Sequence, residues 1–175
     1  YLVIIGDIKI LIKASKFLKI DLKFHESLKN KKGFVSVVHV KTSVEKKLLL
    51  GKNNPESGDA SFQYIVRAVD LALSKDIVAI VTAPISKFAM QSAGHLFNGH
   101  TDLLGKLTGV KEPFMFLTSK ELSAIHVTDH LSLQNVPKKI TKRRIKETII
   151  TINDHLKQIG IKNPKIAVAG LNPHA

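Results

Sequence analysis

Cysteine is absent from the 175 residues. Its absence excludes disulfides and thiolate metal sites and leaves His, Asp and Glu to serve as metal ligands. Tryptophan is absent too, and aromatic residues make up only 6% of the chain, so stacking platforms for single-stranded nucleic acid are scarce. Arginine occurs only at Arg67, Arg143 and Arg144, so the net charge of +13 is almost entirely lysine. Proteins that read phosphates and base edges favour the planar arginine fork. The charge therefore reads as a lysine-biased, solvated surface, and nucleic acid is not an expected partner. No apolar run approaches the ~20 residues of a membrane span. Tyr1-Leu2-Val3-Ile4-Ile5 is too short for a signal-peptide core and follows no basic segment. A membrane partner is not expected, and a cytoplasmic setting is. There is no initiator Met, so the chain is expected to be part of a longer one.

Apolar residues supply 44% of the sequence, enough for a core, and disorder is excluded on that ground. Strands are predicted at Tyr1–Ile5, Ile20–Phe24, Phe34–Val40, Ile77–Val81, Pro113–Leu117, Ser123–Val127 and Ile166–Ala169. The Ile77–Val81 run is continuous and apolar, as in a central strand covered on both faces. Helices are predicted at Ile8–Leu18, from an Asp59 N-cap to Ser74, at Ile85–Ser92, from about Asp102 with Thr101 as its cap, and at Thr141–Ile159. The last is the clearest, because Ile145, Ile149, Ile152, Leu156 and Ile159 recur at steps of four and three before Gly160. Lys46–Ser57 reads as a loop. Strands alternating with helices predict an α/β layered sheet, at least partly parallel and incomplete at both ends.

Three histidines stand where an α/β sheet presents side chains to ligands, beyond its strand ends. His100 lies in Gly99-His100-Thr101-Asp102, whose helix start can receive an anion. His130 follows a predicted strand with Asp129 beside it, and His174 follows another within Gly170-Leu171-Asn172-Pro173-His174-Ala175. Neutral imidazole is the commonest ligand of Zn²⁺ and similar metals. Read alone, His100 suits a satisfied structural residue equally well, and for His130 and His174 the structural reading is the better one. His25, His39, His95, His126 and His155 lack this context and read as structural or surface residues. Lys138, Lys139, Lys142, Arg143, Arg144 and Lys146 cluster around a helix start, where cations oppose the macrodipole. A solvated helix face is the expected explanation, ahead of an anion partner.

Taken in order, Thr82-Ala83-Pro84-Ile85-Ser86-Lys87, Ala93-Gly94-His95, Gly99-His100-Thr101-Asp102, His130-Leu131 and the closing Gly170–Ala175 string resemble the 4-hydroxythreonine-4-phosphate dehydrogenase family. The resemblance implies a two-domain subunit like isocitrate and isopropylmalate dehydrogenases, of which residues 1–175 would cover the N-terminal and central parts. It implies a homodimer with shared active sites, NAD, and a divalent metal ion (Zn, Mg, Mn or Co). The reaction implied is oxidation and decarboxylation of 4-(phosphooxy)-L-threonine to 3-amino-2-oxopropyl phosphate, in pyridoxal phosphate (vitamin B6) biosynthesis. His130 and His174 look like two of three metal-binding histidines, the third lying in a segment outside this sequence. His100 and Thr101 look like substrate contacts, and no catalytic acid or base is assigned. Ser86 stands where Asn is more usual, and Asp129 and Ser132 depart from the usual Thr-His-Leu-Pro-Leu string. The alternatives are a dehydrogenase of another phosphorylated four-carbon hydroxy acid, or a non-catalytic anion- or nucleic-acid-binding relative.

Overall fold

The structure, a computed structural model, describes residues 1–44 and 51–174. The first part of the predicted 46–57 loop thus lies outside the described residues. The chain divides into two compact units, Tyr1–Lys111 and Glu112–Ala175.

The first unit opens with β1 (Val3–Gly6), α1 (Ile8–Leu18), β2 (Phe24–Glu26) and β3 (Val35–His39). These strands form a parallel sheet in the order β1-β3-β2, with Ile4 opposite Val37 and His25 opposite Ser36. Val37, at the centre, is wholly buried. Helix α1 begins where Asp7 accepts the Lys9 amide at 2.9 Å, and it ends at Lys19 in the left-handed region (φ 56°). The alternation over Ile20–Phe24 yields a strand only from Phe24 onward. Ile20 and Leu22 are about half exposed, and alternation alone supplies no ladder partner.

Helix α2 (Pro55–Leu73) starts four residues before the predicted Asp59 cap. Asn54 accepts the Ser57 amide at 2.7 Å, the Ser57 hydroxyl faces the Asn54 amide at 3.4 Å, and Pro55 occupies the first turn, where its missing N–H costs nothing. Short helices α3 (Lys87–Ser92) and α4 (His100–Leu107) follow. Ile65 and Val69 of α2 meet Met90 of α3 and Leu103 of α4 in a core flanked by Phe62, Ile80, Ile85 and Phe97.

The expected central strand Ile77–Val81 does not form: it has no strand assignment, and Val78 and Val81 are fully or nearly fully exposed. Ile166–Ala169 likewise forms no strand, and Val168 is exposed. A strand exists through ladder bonds to a neighbour, and among the described residues neither run has one. Only Ile80 of the first run reaches the core.

In the second unit, β4 (Phe116–Thr118) pairs antiparallel with β5 (Ser123–Ile125), with Leu117 opposite Ala124. A 3₁₀ turn at Leu133–Asn135 and α5 (Val136–Lys139) lead into α6 (Lys142–Gln158), which Thr141 caps by accepting the Arg144 amide at 3.1 Å. Among the described residues no helix is long and apolar enough to cross a membrane.

A polar seam closes the carboxyl ends of β1 and β3. Asp7 is 2% exposed, the Ile8 amide donates to His39 Nδ1 at 3.2 Å, and the Thr42 hydroxyl lies 3.5 Å from Asp7 Oδ2 and 3.4 Å from the Tyr64 hydroxyl. Burial pushes the Tyr64 phenol above its ordinary value of 10.0; the Thr42 hydrogen bond opposes that rise and the Asp7 charge adds to it. Folding therefore favours the neutral phenol. Its stabilisation is complete below the unfolded value and is lost as pH rises through the folded one. We expect Tyr64→Phe to remove this alkaline loss in denaturant unfolding followed against pH. Equal alkaline sensitivity in the variant and the parent protein would refute it.

Candidate active site

Helix α4 carries the first candidate pair. Gly99 precedes it at φ 152°, ψ −170°, a conformation open essentially to glycine alone. The Leu103 amide donates to the Gly99 carbonyl at 3.1 Å. No side chain caps this helix. Thr101, expected as the cap, lies in the first turn instead, because the helix begins at His100. Asp102 turns back to accept the Asn98 amide at 3.0 Å and the Asn98 side-chain N–H at 3.3 Å. His100 Nε2 is buried and, among the described residues, has no hydrogen-bond partner. Unpaired N–H groups at a helix start, beside an unsatisfied buried imidazole nitrogen, suit a small anion.

Lys87 belongs to the same neighbourhood. Its Cε lies 3.6 Å from the point a Gly99 Cβ would occupy. Ser86, the residue that departs from the family string, caps α3 by accepting the Ala89 amide at 3.2 Å. The substitution thus keeps the N-cap function.

The second candidate pair lies in the other unit. His130 has φ 49°, the left-handed region, which costs an L-residue roughly 1 kcal/mol or more. Its side chain is 88% exposed, and Nδ1 lies 3.7 Å from Asp129 Oδ1, too far for a hydrogen bond. The imidazole is thus free to coordinate. His174 is also exposed. It does not follow a strand end, since Ile166–Ala169 has no ladder. Among the described residues no group of three His, Asp or Glu side chains could hold a metal ion. The donor chemistry of two exposed imidazoles suits a divalent cation, but such a site needs a further ligand.

A cavity of about 390 Å³ is lined by Thr128, Asp129, Leu131, Lys138, Lys139 and Arg144 among others, though not by His130 itself. The basic stretch divides here. Lys142 and Lys146 are exposed, as expected of a solvated face. Arg144 is not: its Nε donates to the Val127 carbonyl at 3.0 Å and its two other nitrogens to the Glu112 and Pro113 carbonyls at 3.0 and 3.3 Å. Arg143 bridges Glu147 at 2.7 Å and Glu112 at 3.1 Å, and it holds the Glu112 carboxyl below the usual carboxylate range.

His95, read from the sequence as a structural or surface residue, sits in the first unit between α3 and α4. Its Nε2 faces Asp59 Oδ1 at 2.9 Å and its ring stacks on Phe62 at 3.8 Å. Asp59 and His95 lie 36 residues apart, so no local signal links them.

The class that these features define is a mixed α/β chain with an anion-suited helix start and exposed imidazoles. Comparison with known proteins narrows it. Residues 1–175 match the family described as pyridoxal phosphate biosynthetic protein PdxA, and the chain belongs to that family. It is 37% identical to the 4-hydroxythreonine-4-phosphate dehydrogenase of Sulfurihydrogenibium sp., covering 99% of this chain and 54% of that protein. It is also 37% identical to the D-threonate 4-phosphate dehydrogenase of Cupriavidus necator, covering 98% and 53%. The crystal structure of a 4-hydroxythreonine-4-phosphate dehydrogenase from Burkholderia phymatum superposes with a TM-score of 0.87 at 36% identity, over 98% of this chain and 53% of that one. The chain spans about half the length of the curated relatives it matches.

Proposed function

We propose that the protein carrying this chain oxidises the secondary alcohol of a phosphorylated four-carbon hydroxy acid and releases CO₂. The observation that carries the reading is the start of α4, where uncapped amides, His100 with its unpartnered buried nitrogen, and Thr101 adjoin. Helix-start amides hold the substrate's phosphate or carboxylate, and His100 Nε2 takes a polar atom of the substrate as its missing partner. Lys87 adds positive charge beside them.

His130 and His174 are proposed to supply two imidazoles to a divalent ion, completed by a ligand beyond the described residues. The strained backbone at His130 supports a functional role for it. When bound, such an ion polarises the substrate's alcohol and then its carbonyl. NAD is the proposed acceptor of the hydride. Removal of hydride from C3 and of its hydroxyl proton leaves a 3-keto acid. The carboxylate, now β to the ketone, departs as CO₂ and leaves its electron pair as an enolate, which takes a proton at C2 to give the ketone. The proposed setting is a cytoplasmic homodimer of two-domain subunits, layered like isocitrate dehydrogenase.

Two substrates fit this chemistry. With an amino group at C2, 4-(phosphooxy)-L-threonine gives 3-amino-2-oxopropyl phosphate, the step in pyridoxal phosphate biosynthesis. With a hydroxyl at C2, D-threonate 4-phosphate gives dihydroxyacetone phosphate. The second reading is favoured by the name of the Cupriavidus relative. The test is NADH formation by the full-length protein with each compound, with and without divalent metal. Activity on at least one is expected, with loss of that activity in His130→Ala and His174→Ala. Undiminished metal-dependent turnover in both variants would overturn the ligand assignment, and inactivity on both compounds would overturn the reaction.

A further inference from the structure

We infer that His95 and Asp59 are positioning residues, a clamp that holds the segment leading into His100 against α2; this rests on the reading of His100 and Thr101 as substrate contacts. After α3 the chain turns at Gly94 (φ 88°), and the His95 amide donates to the Met90 carbonyl at 2.9 Å. The His95 side chain then crosses to α2. A carboxylate only accepts, so Nε2–H of His95 donates to Asp59 Oδ1 at 2.9 Å. The other carboxylate oxygen of Asp59 accepts from the Gln63 side chain one turn along the same helix, which fixes the carboxylate's direction. The His95 ring lies 15° from parallel to Phe62, at 3.8 Å. Phe97 lies on the same ring of α2, 6.0 Å away and 17° from parallel.

The connection from α3 to α4 is therefore held at His95 by a hydrogen bond and stacking, at Phe97 by a second aromatic contact, and at Asn98 by Asp102. The next residues are Gly99, His100 and Thr101. Stability alone does not demand this pairing. The His95 and Asp59 side chains are 20% and 38% exposed, and a partly exposed pair contributes little to global stability. The core of Ile65, Val69, Met90 and Leu103 does not include either residue. What the pair fixes is where the His100 imidazole sits, and misplacing a substrate contact by about 1 Å costs on the order of 100-fold in rate.

The test uses the full-length protein and four variants: His95→Ala, Asp59→Ala, His95→Phe and Asp59→Asn. His95→Phe keeps a ring against Phe62 but donates nothing; Asp59→Asn keeps an acceptor oxygen for His95. The first readout is amide hydrogen exchange, which needs no turnover. In the first three variants, exchange over residues 96–102 is expected to quicken about tenfold, while that of Ile65 and Val69 holds. Asp59→Asn is expected to restore the parent's protection. The second readout is kcat and KM, where the same three variants are expected to lose about tenfold or more in kcat/KM, chiefly through KM, and Asp59→Asn to recover most of it. Unchanged exchange over 96–102 would overturn the clamp, as would kcat/KM that falls only in step with the folded fraction. Should the parent protein turn over neither substrate, the proposed reaction fails by itself, and the clamp is then decided by exchange and by the affinity for inorganic phosphate. Equal phosphate affinity in Asp59→Ala and the parent would overturn it.

Discussion

Replacing Gly58 by alanine is expected to lower the melting temperature of the first unit by roughly 10 °C or more, equivalent to about 3 kcal/mol in a domain of this size. Helix propensity alone gives the opposite sign, since alanine is favoured over glycine in a helix interior by about 1 kcal/mol. Sterics decide the matter. A Cβ on Gly58 would lie 2.1 Å from the Ala89 carbonyl oxygen, 2.2 Å from its carbon and 2.6 Å from the Met90 nitrogen. These are backbone atoms of α3, so no side chain can swing aside. Ala89 and Met90 are each 2% exposed, and Met90 packs on Leu103 and Val69 in the core. Relief requires α2 and α3 to part, which forfeits packing along their whole contact. Calorimetry of Gly58→Ala checks this, and a melting temperature at or above the parent's would show that the close approach does not exist.

The contrast between Gly58 and the clear helices shows which features local sequence carries. Apolar spacing located α1 and α6 because a 3.6-residue period is a property of the segment alone. Helix α2 began earlier than expected because Asn54-Pro55-Glu56-Ser57 carries both a loop composition and a helix start. The capping box and the proline at the first turn resolve the ambiguity in favour of the helix. Ile77–Val81 failed in the other direction. An apolar β-prone run looks the same in sequence whether or not a neighbour pairs with it, and among the described residues this one has none. The site followed the same division. The helix start that follows Gly99 is legible in the sequence, whereas the reading of His100 and Thr101 as substrate contacts rests on the family resemblance. The partnership of His95 with Asp59, like the burial of Arg144, joins residues distant in sequence, and periodicity carries no trace of either.

Arg144 provides the second large expected effect, because its neighbour Arg143 has the same chemistry and the opposite role. Arg144→Ala is expected to destabilise the second unit by about 2–4 kcal/mol, through three lost carbonyl hydrogen bonds and an emptied contact. Its side chain is only 13% exposed, and its guanidinium lies 3.9 Å over the Phe114 ring. Its nitrogens reach the Val127, Glu112 and Pro113 carbonyls, so one side chain ties α6 to both segments flanking the β4–β5 hairpin. Lysine offers a point charge without the planar fork, and Arg144→Lys is expected to retain little of the stability. Arg143 is 66% exposed and, among the described residues, bonds only Glu112 and Glu147, so Arg143→Ala is expected to change little. Urea unfolding of the three variants, followed by circular dichroism, separates the cases; Arg144→Lys as stable as the parent would refute the fork. The consequence reaches the candidate metal ligand. Val127 lies three residues before His130, whose left-handed backbone persists only if the surrounding structure holds it. Loss of Arg144 removes that anchor. At temperatures where Arg144→Lys remains folded, the full-length variant is expected to bind divalent metal more weakly than Arg143→Ala does, which isothermal titration measures directly.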